Sequence, residues 1–285
     1  MKAKFVTLLL LTVFTAATIK AEPKNWREPA APFHIAGPIY YVGTKGLGVF
    51  LLKTNAGLIL LNGAMPGSTP TLVESIRKLG FDSKDIRLLL TSHAHIDHVG
   101  TLADFKRLTG ATVAAMDADV ALLRSGGKDD YLFAAQPNMH FEGVTADKVL
   151  QDGETVTLGD VKMTAHLTPG HTRGCTTWET TINEGGKKYK VVFADGTGIN
   201  EGTQFTKTES YRGITSDYKH TFAVLASLRP DIFLSYHAEF FDLDRKLARM
   251  KAEGFRAWID LEGFKHQISV KKAAFEKSAA NGSAI

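Results

Sequence analysis

Residues 91–100 read Thr91-Ser92-His93-Ala94-His95-Ile96-Asp97-His98-Val99-Gly100. The run just before them, Ile86–Leu90, is apolar except for Arg87, the pattern of a largely buried strand. Side chains two apart at a strand end share one face, so His93 and His95 can grip one metal ion. The chain then turns into a helix, and Asp97 and His98 can reach a second ion beside the first. Four ligand-type side chains in six residues are costly to gather unless a cation compensates them. The plain alternative is a capped helix start with incidental histidines, but H-x-H-x-D-H is far more specific than a lone histidine pair.

Two more histidines fit the same chemistry. His171 lies in Leu167-Thr168-Pro169-Gly170-His171-Thr172, where a strand ends in a Pro-Gly turn, and His237 follows the apolar strand Ile232–Tyr236. Taken singly, each is an ordinary structural or surface histidine; beside the main motif, both read as metal ligands at strand ends. Asp195, in Phe193-Ala194-Asp195-Gly196-Thr197, also ends a strand. It reads equally as a carboxylate bridging two ions and as a turn-forming Asp before Gly. His34, His140, His166, His220 and His266 lack such a setting. Cys175 is the single cysteine, which rules out an intramolecular disulfide and any thiolate cluster. It reads as a small buried residue.

Around these positions strands and helices alternate. Residues 37–63 hold three short β-rich runs separated by turn signals. Thr69 is positioned to cap a helix opened by Pro70 and stopped by Gly80. Leu102, Phe105 and Leu108 have helical spacing up to Gly110. A strand is expected at Ala111–Ala115 and a short helix at Asp117–Arg124. The long connection 125–145 has the character of a lid or binding loop. Its Tyr131, Phe133 and Phe141 read equally as an apolar wall over a cleft and as anchors to the core. Residues 149–168 look like a β-meander, followed by strands at Thr176–Ile182 and Lys188–Phe193. Then come a helix at Ser216–Ser227, a strand at Asp231–Tyr236, and helices at Leu243–Ala252 and Phe264–Ala280. Two halves, each running from meander to helices, predict two packed sheets with helices outside, a four-layer αββα sandwich of mixed α/β class. No low-complexity linker divides residues 22–285, so they are expected to form one domain.

The chain has 285 residues, 44% hydrophobic and 22% charged, an ordinary globular balance. Residues 1–21, MKAKFVTLLLLTVFTAATIKA, have a lysine-bearing start, a short apolar run and small residues before a cleavage point at Ala21 or Ala17. This reads as a secretory signal peptide, too short to span a bilayer, and sends the protein to the periplasm or outside the cell. Its loss removes Lys2, Lys4 and Lys20 and no acid, lowering the formal charge from +4 to +1. A near-neutral chain has no electrostatic case for nucleic-acid binding. Neither a membrane partner nor an oligomer is expected; the mature protein reads as a monomer.

HAHIDH at 93–98, TPGHTRGCTTWE at 168–179 and the strand end at His237 resemble the metallo-β-lactamase superfamily. The stretch GLILLNGAMP at 57–66, the TPGHT-x-GCT-x-W motif and the leader are most similar to subclass B3. The resemblance runs from about Phe33 to the final helix. It implies that His93, His95 and His171 hold one Zn²⁺ and that Asp97, His98 and His237 hold a second, with a hydroxide between them attacking the lactam carbonyl. Asp97 is then also catalytic, orienting the attacking water. Thr197 is a candidate for a substrate carboxylate, with Tyr131 and Phe133 as candidate substrate contacts. The implied function is a secreted zinc β-lactamase conferring resistance to β-lactam antibiotics.

Two departures stand out. Many relatives carry Asp where this chain has Asn62, which loses a charge near the metal loop. Gly196 stands where B3 enzymes usually place Ser after an Ala-Asp pair. Other dinuclear hydrolases of this fold, acting on a lactone, thioester or phosphodiester, remain alternatives. So does a non-catalytic secreted zinc-binding protein.

Overall fold

The fold is that of a computed structural model, which describes residues 22–206 and 208–284. The expected signal peptide at 1–21 lies outside the described residues. Seven strands form one sheet in chain order: β1 (Phe33–Ala36), β2 (Ile39–Tyr41), β3 (Phe50–Thr54), β4 (Gly57–Leu61), β5 (Ile86–Leu90), β6 (Thr112–Met116) and β7 (Lys148–Leu150). Strands β1 to β4 pair antiparallel, and β4 to β7 pair parallel. Parallel neighbours need crossovers. These carry α1 (Thr69–Lys78), then α2 (Ile96–Val99) and α3 (Leu102–Thr109), then α4 (Asp117–Ser125).

A second sheet holds β8 (Thr155–Leu158), β9 (Val161–Leu167), β10 (Thr176–Glu184), β11 (Lys187–Ala194) and β12 (Ile232–Ser235), ordered β12-β11-β10-β9-β8. It is antiparallel except for the β11–β12 pair, which is joined through α5 (Ile214–Ser227). Helices α6 (Leu243–Glu253) and α7 (Leu261–Asn281) complete the chain.

Alternation along the strands sets the layers. Phe50, Leu52, Ile59, Leu61, Leu88 and Leu90 point into a core shared with Met163, Ala165, Trp178 and Phe193 of the second sheet. The intervening Leu51, Leu58, Leu60 and Leu89 pack on Leu72 and Ile76 of α1 and Leu102 and Phe105 of α3. Phe233 of β12 meets Phe264 of α7 at 5.2 Å between ring centroids. Both sheets are therefore covered on both faces, which is why β4, β5 and β12 read as continuous apolar runs. This is the four-layer αββα sandwich that the alternation predicted.

Three details differ from the sequence reading. The stretch 149–168 does not form one meander: β7 joins the first sheet parallel to β6, and β8 opens the second. Two apolar residues, Val149 and Leu150, are too few to announce a strand's partner. Ser68 rather than Thr69 is the N-cap of α1 and makes no side-chain cap bond; Thr69 is the first helical residue, and its hydroxyl donates to Asp104 Oδ2 (2.5 Å). Strand β1 (Phe33–Ala36) lies before the first β-rich run that the sequence signals, at residues 37–63. Among the described residues no helix is long and apolar enough to cross a membrane.

Candidate metal centre

The segment after β5 is held straight by three bonds. Trp178 Nε1 donates to Thr91 O (2.8 Å), Thr176 N to Ser92 O (2.7 Å), and Ser92 N to the Asn62 side-chain oxygen (2.7 Å). His93 leaves this extended stretch, and His95 is the N-cap of α2, whose first residues carry Asp97 and His98. His171 sits on the turn after β9. There Gly170 has φ +132° and lies against the Tyr218 ring, where a Cβ would come within 2.8 Å. Asp195 follows β11 and His237 follows β12. Strands β9, β11 and β12 run the same way, so their C-terminal ends open at one edge of the sandwich.

Six side chains converge there. The rings of His93, His95 and His171 lie 4.7–4.8 Å apart, with interplanar angles of 76–90°. His95 Nδ1 and His171 Nε2 face each other at 3.1 Å. His93 Nε2 is buried with no hydrogen-bond partner. Beside this tripod, His98 Nε2 lies 3.1 Å from Asp97 Oδ2 and 3.2 Å from His237 Nε2. Asp97 Oδ2 lies 3.5 Å from His237 Nε2. His93 and His98 are 4.2 Å apart between centroids, so the two groups adjoin. In the first group, the orphaned His93 Nε2 and the facing His95 and His171 nitrogens are what donors awaiting a divalent cation look like.

The far nitrogens are tied to the protein. His93 Nδ1 lies 2.6 Å from Asp195 Oδ2, His95 Nε2 3.1 Å from Asp130 Oδ2, and His171 Nδ1 3.1 Å from Gly198 O. Asp195 thus contacts an imidazole. Burial pushes His93 and His237 down to about 4, so both are neutral at neutral pH. Burial opposes charge on His98 too, but Asp97 outweighs it and raises His98. Burial also opposes ionisation of Asp97 and Asp195, yet the surrounding imidazoles hold both carboxyls well below the usual range.

The loop residues divide. Phe133 presents its ring to His95 at 5.4 Å, whereas Phe141 is buried in the helix-side core and anchors the loop. The Tyr131 hydroxyl donates toward Gly170 O and His171 O (3.4 and 3.3 Å), and its ring packs on Tyr211. Thr197 is buried two residues beyond Asp195. Cys175 is buried and accepts from Thr172 N and Oγ1, the small internal residue expected. His34, His140, His166, His220 and His266 stay out of the cluster.

Sequence reasoning missed several neighbours. Asp119, on α4, accepts from Ala94 N (2.9 Å), Thr172 Oγ1 (2.8 Å) and Gly174 N (2.7 Å), tying the His93–His95 loop to the His171 loop. Burial raises its carboxyl against the pull of those donors. Asp130 caps its own turn through Leu132 N and Phe133 N, and an Asp beside a bend was the only signal for it. Trp26 and Phe240 flank His237 at 5.4 and 5.2 Å. Lys271 holds its ammonium 3.7 Å above the Phe240 ring.

Residues 49–181 match the family described as the metallo-beta-lactamase superfamily. The native FEZ-1 metallo-β-lactamase of Legionella gormanii is 42% identical, with a TM-score of 0.87 over 90% of this chain and 97% of that one. The class B3 di-zinc metallo-β-lactamase LRA-12, from an Alaskan soil metagenome, is 32% identical with a TM-score of 0.86, over 90% of this chain and 97% of that one. A probable metallo-hydrolase of Burkholderia pseudomallei is 32% identical over 114 residues, which is 40% of this chain. The match spans only 37% of that curated relative's length.

Proposed function

Because the chain belongs to the metallo-β-lactamase superfamily and is most like its subclass B3 members, we propose that it is a zinc β-lactamase that opens the β-lactam amide bond by hydrolysis. The observation that carries this reading is the convergence of His93, His95 and His171 beside Asp97, His98 and His237, with His93 Nε2 buried and unpartnered. His93, His95 and His171 would hold one Zn²⁺, and Asp97, His98 and His237 the second. Nitrogen and carboxylate donors with no thiolate suit zinc. Bound there, zinc would supply a Lewis acid for the lactam carbonyl and lower the pKa of a water so that hydroxide is present near neutral pH.

The chain's own groups do the rest. The carboxylate of Asp97 borders both donor groups and would orient the attacking water. Asp195, 2.6 Å from His93 Nδ1, would fix that ring's tautomer; this contact favours positioning over a bridge between ions. Asp130 and the Gly198 carbonyl would do the same for His95 and His171. Phe133, Tyr131 and Trp26 would border the substrate and keep bulk water off the reacting carbon. Thr197 and Lys271 would receive a substrate carboxylate. The leader-like residues 1–21 support export to the periplasm, where such activity would protect a cell from β-lactams.

Purified protein assayed with a penicillin, a cephalosporin and a carbapenem, with and without EDTA, tests the reading. EDTA-sensitive ring opening in at least one class is expected. No opening in any class, with turnover of a lactone, thioester or phosphodiester instead, moves the substrate class. Tight zinc uptake without any turnover makes the protein a zinc binder.

A further inference from the structure

The hydrogen bonds behind the two donor groups are not alike. In the first group each far nitrogen meets an acceptor: Asp195 for His93, Asp130 for His95, the Gly198 carbonyl for His171. An acceptor there keeps the ring proton on the far nitrogen and leaves a lone pair on the near one. That arrangement leaves His93 Nε2 orphaned and sets His95 Nδ1 against His171 Nε2. The first group is therefore preformed for a cation.

In the second group His98 Nδ1 meets Asn62 Nδ2, at 3.1 Å. The amide is not free to turn. Its Oδ1 accepts from the Ser92 backbone N–H (2.7 Å), a group that only donates, so the NH₂ end must face His98 and the Ser92 hydroxyl. An amide N–H donates; His98 Nδ1 therefore accepts, and the ring proton sits on Nε2, 3.1 Å from Asp97 Oδ2. The chain Asn62 to His98 to Asp97 is closed and satisfied with no cation present. Asn62 is wholly buried at φ +65°, in the left-handed region that Asn and Asp both tolerate.

We infer that Asn62 makes the two cation sites unequal, so that the His93–His95–His171 group fills first and the Asp97–His98–His237 group fills later and more weakly. This rests on the metal-binding reading above. For His98 to bind through Nε2, that N–H bond must break and its electron pair go to the cation. The proton passes to solvent, leaving the ring anionic, or to Nδ1, where it opposes the Asn62 N–H. Either course costs affinity. A carboxylate at position 62 would accept from both Ser92 N–H and a His98 Nδ1–H, giving the second group the same kind of support as the first.

The experiment titrates chelator-stripped wild type and Asn62→Asp with Zn²⁺ against a chromophoric competitor, and with Co²⁺ followed by its absorption spectrum. Wild type should bind its first equivalent at least about 10-fold tighter than its second. Asn62→Asp should tighten the second step by about 10- to 100-fold and leave the first unchanged. Two steps of equal affinity in wild type overturn the inference without any variant, as does an unchanged ratio in a folded Asn62→Asp. A wild type that takes up no ion overturns the metal-binding reading itself.

Discussion

Asp119→Asn isolates a residue outside the proposed ligand set. The carboxylate uses one oxygen for Gly174 N (2.7 Å) and the other for Ala94 N and Thr172 Oγ1 (2.9 and 2.8 Å), and it is 2% exposed. An amide keeps one acceptor. Its best placement retains the Ala94 and Thr172 bonds and turns NH₂ toward the Gly174 N–H. That leaves a buried donor unsatisfied, at about 1–3 kcal/mol. Loss of a buried charge offsets part of this, so the net destabilisation should be about 1–2 kcal/mol. For a chain of this size that is a fall in Tm of about 2–4 °C. Because Asp119 joins the loops bearing His95 and His171, first-site zinc affinity should drop about 10-fold as well. Thermal unfolding of chelator-treated protein and a competitive zinc titration measure the two effects. Asp117→Asn, at an exposed position in the first turn of the same helix, is the control. A Tm within about 1 °C of wild type, together with unchanged zinc affinity, would refute the reasoning.

Three further outcomes are expected. His95→Ala should lose one ion and cut kcat/KM by at least about 100-fold while keeping the far-ultraviolet circular dichroism of wild type; undiminished turnover contradicts the ligand assignment. Acid should weaken the metal-free fold: His93 and His237 bind protons near pH 4 when folded, against an ordinary 6.5 when unfolded. The unfolded chain then holds more protons between those values, so stability rises with pH through that window and is lost as pH falls. The loss from pH 7 to pH 5 is about 2 kcal/mol for each ring, read as a lower urea midpoint. Equal midpoints at the two pH values would show that these rings are not held neutral by burial. Lys271→Ala should raise KM for carboxylate-bearing β-lactams by about 3- to 5-fold at low salt, less at high salt; a KM equal to wild type at low salt removes Lys271 from substrate binding.

What could be read along the chain was local. Ile86–Leu90 followed by HAHIDH announces four donors within six residues of a strand end and a helix start. Gly80 and Gly110 ended their helices as expected because a positive φ is a property of one residue. His171, Asp195 and His237 stand out because each lies at or just past a strand end, His171 on a Pro-Gly turn and His237 after an apolar run. The partner of β7 could not be read, since Val149 and Leu150 suit either sheet. Nor could the split between Phe133, which faces His95, and Phe141, which anchors the loop, because both are aromatic and eight residues apart.

Spacing along one strand and one helical turn, set by the backbone, already gathers four of the six proposed donors in the sequence. Which nitrogen of each imidazole faces inward is settled by long-range packing. That choice depends on the acceptor or donor behind the ring, supplied from 35 residues away for His95, 102 for His93 and 36 for His98. The Asn62–His98 bond needs β4 and β5 paired, the His95–Asp130 bond needs the loop after α4 folded back, and the His93–Asp195 bond needs the two sheets packed. The direction of the Asn62 amide, settled by one backbone N–H of Ser92, is therefore a property of the fold, written in no local motif.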